Sequence, residues 1–352
     1  MSPGDPRPHR APPDGAPPEV ESPLDPTPLA AAGIERPLLR LEDPLSLAAA
    51  KVVAFQLAQL REHDPGTRTG EGPEALHDMR VASRRLRAAV GHFRRGIAEP
   101  TRERLARELR WLGALLGTVR DLDVQRERLE RSAALRPARE RRVLARLTAA
   151  LADERRSARQ RLLAGLQSRR YFRLLDDLER LTSAASVGEE TVATETGRSV
   201  RRALRRFERA ADAALAEPGP ERLHVLRIAA KRLRYLLEFL EDVLGEASRR
   251  PLKLLVALQD LLGAHQDAIV AADTILAFLA SGASPTGLAE RACLEAAVGR
   301  EHLLARQIRG TAPAALRPLC GGRGAKWRER LLAALPPAPA PRRVVKERGR
   351  PR

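Results

Sequence analysis

The spacing of apolar residues along the chain predicts an almost wholly helical protein. Apolar residues recur at three- and four-residue intervals, and no segment keeps the strict alternation of a strand. β-Branched and aromatic residues are too sparse to build much sheet. Most prolines stand where the helical periodicity starts or stops. The pattern predicts ten helices, at residues 44–63, 74–98, 101–133, 138–168, 170–184, 189–216, 221–246, 249–281, 286–310 and 314–335.

The two ends of the chain differ in composition from the helical region. Residues 1–36 are rich in proline, mixed in charge and poor in large apolar residues, and residues 336–352 are similar with a basic end. Neither segment carries enough apolar surface to offset the entropy of ordering, so both are expected to be disordered. Between them, long helices with short links imply antiparallel bundles.

Composition narrows the class of protein. The chain of 352 residues is 43% hydrophobic, which suffices for a sizeable core, but only 3% aromatic. Its apolar runs are interrupted by charges before the ~20 residues of a membrane-spanning helix, and the N-terminus does not read as a secretory signal. Cys293 and Cys320 form neither a disulfide framework nor a zinc pattern. These features predict a cytoplasmic protein without a membrane partner.

The charge balance is strongly basic. Lys and Arg number 63 against 45 Asp and Glu, which gives a formal net charge of +18, and nearly all of the cations are arginine. A chain rich in Ala, Arg, Leu, Pro and Gly is what a GC-rich genome encodes whatever the function. The net charge alone is therefore a weak indication of a polyanionic partner. The arrangement of the arginines along the chain is the more informative evidence for such a partner.

A long internal repeat is the most informative feature of the sequence. Residues 74–90 (EALHDMRVASRRLRAAV) align without a gap on residues 221–237 (ERLHVLRIAAKRLRYLL). A second match follows at almost the same offset, LLGTVRDLDV at 115–124 and LLGAHQDAIV at 261–270. The two matches predict a duplicated helical unit of roughly 145 residues, far longer than a solenoid repeat. We therefore expect two pseudo-symmetric bundles that face each other.

The repeated helix carries a row of cations in both copies. One histidine and three cations share one face over about three turns, and large apolar residues hold the opposite face. Neighbouring like charges destabilise a helix, and no carboxylate lies within either row, so an anion is expected to supply the missing charge. With the arginine that flanks each row, the candidate binding residues are His77, Arg80, Arg84, Arg85 and Arg87, and His224, Arg227, Lys231, Arg232 and Arg234.

The cations of the two rows could instead have a structural role, in which they form ion pairs with carboxylates on neighbouring helices. The second matched element contains such carboxylates. We interpret Asp121 and Asp267 as structural residues that orient a facing arginine by a charge-assisted hydrogen bond. A metal-binding role for these two residues is the weaker interpretation. Arg120 and His265, in the same element, are further candidates for extending the basic surface. No catalytic residue, metal ligand or cofactor is assigned.

These motifs resemble those of the CHAD family, the conserved-histidine α-helical domain. The resemblance rests on L-H-x-x-R-x-x-x-[RK]-R-L-R at 76–87 and 223–234 and on the Gly-Asp elements at 116–123 and 262–267. It covers about residues 40–335. The resemblance implies a duplicated four-helix-bundle architecture around a basic central cavity. It also implies binding of inorganic polyphosphate and association with polyphosphate granules and their proteins.

The chain departs from the family pattern in one motif. In the second Gly-Asp element Gln266 replaces Arg120 and Ile269 replaces Asp123, which leaves open whether the two halves bind equally. Some family members are fused to a CYTH triphosphate-tunnel domain. The strand-borne Glu-x-Glu-x-Lys pattern of that domain is not readable in this chain, which therefore resembles a stand-alone member.

The predicted organisation is a Pro-rich segment at 1–36, a CHAD domain at 37–335 with repeats at about 40–185 and 189–335, and a basic tail at 336–352. The leading hypothesis is non-catalytic binding of inorganic polyphosphate in the cytoplasm, at polyphosphate granules. Nucleic-acid binding is the alternative, although stacking aromatics are scarce. A polyphosphate-processing enzyme is less favoured, because no phosphate-binding loop or paired-carboxylate metal motif is present. A scaffold that docks an acidic protein is compatible with the leading hypothesis.

Overall fold

Helices account for nearly all of the chain that the structure describes. The structure, a computed structural model, describes residues 36–70, 72–183, 190–281, 287–320 and 322–337. Over these ranges the fold is all-α, as predicted. Its helices are α1 (Leu45–Thr69), α2 (Pro73–His92), α3 (Glu99–Ala134), α4 (Ala138–Leu166), α5 (Arg169–Ser183), α6 (Val192–Ala216), α7 (Pro220–Phe239), α8 (Glu241–Leu244), α9 (Glu246–Ala280), α10 (Leu288–Cys320) and α11 (Gly322–Ala333).

The ends predicted to be disordered, residues 1–36 and 336–352, lie outside the described residues except for residues 36, 336 and 337. Their expected disorder stays a prediction.

Local chemistry shifts some of the predicted helix boundaries. α1 continues through Pro65 and ends at Gly70, which takes the left-handed conformation with φ 74° that favours glycine as a helix C-cap. α2 ends at His92 instead of residue 98, because a 3-10 turn at Arg94–Gly96 follows. α10 runs through Pro313, where the sequence pattern predicted a break.

The internal repeat is visible in the order of the helices. α1, α2 and α3 each have a counterpart in α6, α7 and α9 that begins 147 residues later, and proline occupies the first turn of both α2 and α7. The helices α1–α5 pack mainly on one another, as do α6–α11. The repeat limits of about 40–185 and 189–335 stay a prediction.

Equivalent residues of the two halves meet just before α1 and α6. The Leu45 amide donates to the Glu190 carbonyl at 2.8 Å, and the Val192 amide donates to the Asp43 carbonyl at 3.0 Å. Leu45 corresponds to Val192, and Asp43 corresponds to Glu190, at the offset of 147 residues, so the two hydrogen bonds join equivalent atoms in opposite directions. A local twofold axis produces this reciprocal pattern. Contacts of α2 with α7 and of α4 with α10 complete the junction of the halves.

One apolar core runs through both halves and consists mostly of leucine. α9 belongs to it, although among the described residues it is the one helix long and apolar enough to cross a membrane by length and composition. No such helix is expected from the sequence, in which charges interrupt the apolar runs. Half of its most apolar stretch is buried in the protein, and α9 packs against α7, α10 and α11. Its apolarity is therefore explained by its position in the core.

Gly96 provides a test of the packing between the 3-10 turn and α1. A Cβ atom at this position would lie 2.6 Å from the Leu45 carbonyl carbon and oxygen, which are backbone atoms that cannot move aside cheaply. We predict that Gly96→Ala lowers the free energy of unfolding by about 1–3 kcal/mol. The measurement is urea-induced unfolding followed by circular dichroism.

Gly299, inside α10, is the matched control. A Cβ atom there meets no heavy atom within 4 Å, so Gly299→Ala should raise the free energy of unfolding by about 0.5–1 kcal/mol. A Gly96→Ala variant as stable as the parent would contradict the close approach of the turn to α1.

Candidate functional site

An open groove with a volume of about 1140 Å³ is lined by α2, the 3-10 turn, α6 and α7. Its lining is strongly basic, and Glu195 is the sole carboxylate that any described residue contributes to it. Nine cationic side chains line the groove, namely Arg84, Arg87, Arg94, Arg202, Arg206, Arg209, Arg227, Lys231 and Arg232.

The charge of Glu195 is already compensated by other residues. Its Oε2 atom lies 3.0 Å from Arg198 Nη1 and 3.8 Å from Arg95 Nε, and its Oε1 atom accepts a hydrogen bond from the Ser199 hydroxyl. The residue is 2% exposed. Neither of these arginines lines the groove, so Glu195 is held from outside the groove by residues that do not belong to its basic lining.

The cation rows of α2 and α7 face each other across the local twofold axis. Burial lowers the pKa of Arg227, the charge of Asp267 opposes this effect, and the nearby charges of Arg84 and Arg80 lower the pKa further. The rings of His92 and Phe239, the last residues of the two helices, stack with centroids 6.3 Å apart. Arg80 and Arg227 are equivalent under the repeat, as are His92 and Phe239. The duplicated helices therefore bring like charges together.

Behind these cations, each half supplies an aspartate from the second matched element. Arg80 Nη2 donates to Asp121 Oδ1 at 3.3 Å, and the orienting role of Asp121 stays a prediction. Asp267 is buried, and no hydrogen bond from a described residue reaches its Oδ1 atom. Burial raises the pKa of Asp267 to about 6, against the lowering effect of Arg128, Arg227 and Lys231. The two aspartates are thus not equivalent.

The other predicted residues divide between the groove and its supports. Arg85 Nη2 lies 3.9 Å from Glu238 Oε2 and Arg234 Nε lies 3.4 Å from Glu238 Oε1, so both arginines meet one carboxylate where α2 approaches α7. His224 and Arg232 line the groove. The predicted residues that do not line it are His77, Arg80, Arg85, Arg234, Arg120 and His265.

His265 and Arg120 therefore do not extend the basic lining of the groove. His265 is buried in α9, and burial, followed by the charge of Arg309, lowers its pKa. His92, which does line the groove, is also uncharged at neutral pH, because burial lowers its pKa to about 4.

α6 contributes a row of arginines that is not among the residues predicted from the sequence. Arg202, Arg206 and Arg209 line the groove at the three- and four-residue spacing of one helical face. No carboxylate of a described residue lies within 4 Å of their guanidinium groups. At the equivalent positions α1 has Phe55, Gln59 and Glu62, so this basic wall exists in the second half alone. The signal was present in the sequence, but that helix carries no repeated motif.

Among the described residues, no group of three or more His, Cys, Asp and Glu side chains is placed to hold a metal ion.

The fold and the groove together define an all-α protein of two related halves with a basic cleft. Residues 51–276 match the CHAD domain, and the chain belongs to this family. Two proteins of Mycobacterium tuberculosis, named uncharacterized proteins MT2285 and Rv2226, are each 33% identical over 236 residues. The match covers 64% of this chain and 44% of either relative, so the chain spans less than half of their length.

Solved structures share the fold. The crystal structure of the CHAD domain from the plant Ricinus communis aligns with a TM-score of 0.60 and 24% identity, over 85% of this chain and 95% of that one. PptA from Streptomyces chartreusis aligns with a TM-score of 0.63 and 18% identity, over 78% of this chain and all of that one. At these identities the likeness shows the fold.

The buried Asp267 predicts a pH dependence of stability. Its pKa in the folded protein, about 6, exceeds the ordinary value of 3.8, so the unfolded chain loses this proton first as pH rises. The contribution of Asp267 to the stability of the folded parent therefore falls between pH 4 and pH 6. In Asp267→Asn this loss is absent, and we predict that the variant gains about 1–3 kcal/mol on the parent between pH 4 and pH 7.

Asp177→Asn is the contrasting control, measured by urea unfolding at the same pH values. Burial opposes ionisation of Asp177, but hydrogen bonds from Arg180 and Arg104 hold its pKa below the ordinary value. That variant should lose stability relative to the parent as pH rises through the acidic range. If both variants lost stability relative to the parent as pH rises, or if both gained it, the description of Asp267 as a buried carboxyl group with a raised pKa would be wrong.

Proposed function

We propose that the groove binds inorganic polyphosphate and that the protein does so without chemical turnover. The observation that carries this proposal is the convergence of nine cations from three helices and a turn on one groove. The chain also belongs to the CHAD family, which is associated with polyphosphate-related proteins. A protein that binds the polymer in this way would be held at polyphosphate granules, which we propose as its location in the cytoplasm.

The lining chemistry suits a flexible chain of phosphates. Arginine presents forked donors that match phosphate oxygens, and Lys231 adds a mobile point charge. Cations three or four residues apart on a helix are about 5–6 Å apart along the axis. Successive phosphates of an extended polymer can follow such rows on α6 and α7. A single orthophosphate can use few of these contacts, so the polymer gains from their linkage.

The number of cations sets the expected salt dependence. With a slope of about −0.7 per neutralised phosphate, borrowed from single-stranded nucleic acids, nine contacts give about −6 in log affinity against log salt. A fourfold rise in salt would then weaken binding by roughly 10³–10⁴.

Nucleic acid is the less favoured ligand because no Tyr or Phe among the described residues of the groove offers a free face for stacking. Tyr235 and Phe239 are the Tyr and Phe residues that line it. The Cζ atoms of Arg84 and Arg234 lie 5.7 and 5.0 Å from the centroid of the Tyr235 ring, and Phe239 stacks on His92. Bases would have to displace these neighbours in order to stack.

The lining groups suit the binding of an anion, and the carboxylate that a described residue contributes is not free to act as a general base. The other lining groups that could accept a proton are His92, whose ring stacks on Phe239, and His224. Glu195, the carboxylate in the groove, is held by Arg198, Arg95 and Ser199. General-base catalysis needs a proton acceptor within hydrogen-bonding reach of the nucleophile. Release of orthophosphate from the polymer by the protein alone would overturn this part of the proposal.

The α6 row gives the sharpest mutational test. We predict that Arg202→Ala, Arg206→Ala and Arg209→Ala together weaken binding of long-chain polyphosphate at least about tenfold at physiological salt, because three phosphate contacts are lost. The slope of log affinity against log salt should become less steep by about 2. Binding is measured by fluorescence anisotropy at several salt concentrations.

The charge-matched control replaces Arg139, Arg141 and Arg142 with alanine on the exposed surface of α4. This variant loses the same net charge outside the groove and should bind within about threefold of the parent. Equal loss in both triple variants would mean that net charge alone attracts the polymer. Equal competition by single-stranded DNA of matched charge would mean that the groove is a general polyanion site.

A further inference from the structure

Tyr235 is a buried polar residue in the wall of the groove. It follows Lys231 by one turn of α7 and is 7% exposed. Its hydroxyl group is buried and has no hydrogen-bond partner among the described residues. The guanidinium groups of Arg84 and Arg234 lie against its ring, and Tyr235 is close enough to Arg227 to affect the pKa of that residue.

A buried phenol hydroxyl without a partner is unfavourable, because tyrosine normally finds one when it is buried. The arginines around Tyr235 cannot accept its proton. Arginine has five N–H donors and no acceptor, so Arg84, Arg227 and Arg234 offer nothing to which the phenol can donate. Glu195, the carboxylate that lines the groove, is engaged by Arg198 and Ser199. The Tyr235 hydroxyl can therefore donate a hydrogen bond to an acceptor of a ligand that binds in the groove.

We infer that Tyr235 is a specificity-determining residue that donates its phenol hydroxyl to a phosphate oxygen of the bound polymer. This inference rests on the proposed function. The cations attract the chain, and Tyr235 adds one short, neutral, directional contact at a position where the surrounding guanidinium groups fix its ring. Arg84 lines the groove and lies against the Tyr235 ring, so a phosphate oxygen that binds Arg84 is brought close to Tyr235.

The burial of Tyr235 also predicts which polyanions use it. The hydroxyl oxygen itself is buried, so a phosphate can reach it only when the Arg84 guanidinium group moves from the ring toward the ligand, and a thin, flexible polyphosphate chain can follow into that space. Duplex DNA carries its phosphates on a stiff, wide helix and would contact the exposed cations at the rim, such as Arg206 and Arg232. Tyr235 is thus expected to separate binding within the groove from general attraction to the basic surface.

The test is Tyr235→Phe in the full chain, which removes a single oxygen atom. Affinity for long-chain polyphosphate should fall about tenfold, as expected for loss of a hydrogen bond to a charged group. The salt slope should not change, because no charge is removed. Affinity for duplex DNA should also be unchanged. Without ligand, the urea midpoint should stay the same or rise, because the hydroxyl has no partner to lose.

Tyr171, the other tyrosine of the chain, is the matched control. Tyr171 is buried in α5 and does not line the groove. Its hydroxyl group donates to Asp64 Oδ2 at 3.0 Å. Tyr171→Phe should therefore lower the urea midpoint and leave polyphosphate affinity unchanged, which is the opposite pattern.

The outcomes separate this inference from the function on which it rests. A parent protein that does not bind polyphosphate would overturn both. A parent that binds, together with a Tyr235→Phe variant of equal affinity, would overturn the inference and leave the proposed function standing. A Tyr235→Phe variant that loses stability in the way expected of Tyr171→Phe would make the residue structural and would also overturn the inference.

Discussion

The rest of the structure depends on one electrostatic constraint, the meeting of like charges from two copies of the same helix. Duplication places α2 and α7 face to face, so that Arg80 and Arg84 repel Arg227 across the local axis. The apolar faces of both helices are buried in the core, which prevents the helices from separating. Carboxylates behind the rows relieve part of the repulsion, as Asp121 does for Arg80. Arg84, Arg227 and Lys231 line the groove, where a bound anion would relieve the repulsion further.

The two halves differ in the charged residues that they place around the two cation rows. As a result, the first half has no basic row equivalent to that of α6. α6 brings three arginines to the groove, whereas α1 has Phe55, Gln59 and Glu62 at the equivalent positions. Asp121 forms an ion pair with its arginine, whereas Asp267 is more deeply buried and resists ionisation. The two halves thus share the same order of helices, but the second half alone contributes the arginine row of α6 to the groove.

Helix content, the internal repeat and the two cation rows could be predicted from the sequence, because periodicity and self-similarity are local properties of the chain. The partners of each side chain could not. A helical wheel shows that Arg84 and Arg85 are adjacent, but only tertiary packing directs the first into the groove and the second toward Glu238. The α6 row was missed for the same reason, since spacing defines a helical face and not its neighbours. Burial of His265 likewise depends on which helices cover α9.

The most direct measurement is thermal unfolding of the full chain with long-chain polyphosphate, compared with the same phosphate concentration as orthophosphate at equal ionic strength. A ligand that binds only the folded state raises the melting temperature as its concentration rises. If repulsion between the cation rows is relieved by a linked chain of phosphates, the polymer stabilises the protein, orthophosphate does not, and added salt reduces the difference. Equal melting temperatures in the two solutions would contradict the account.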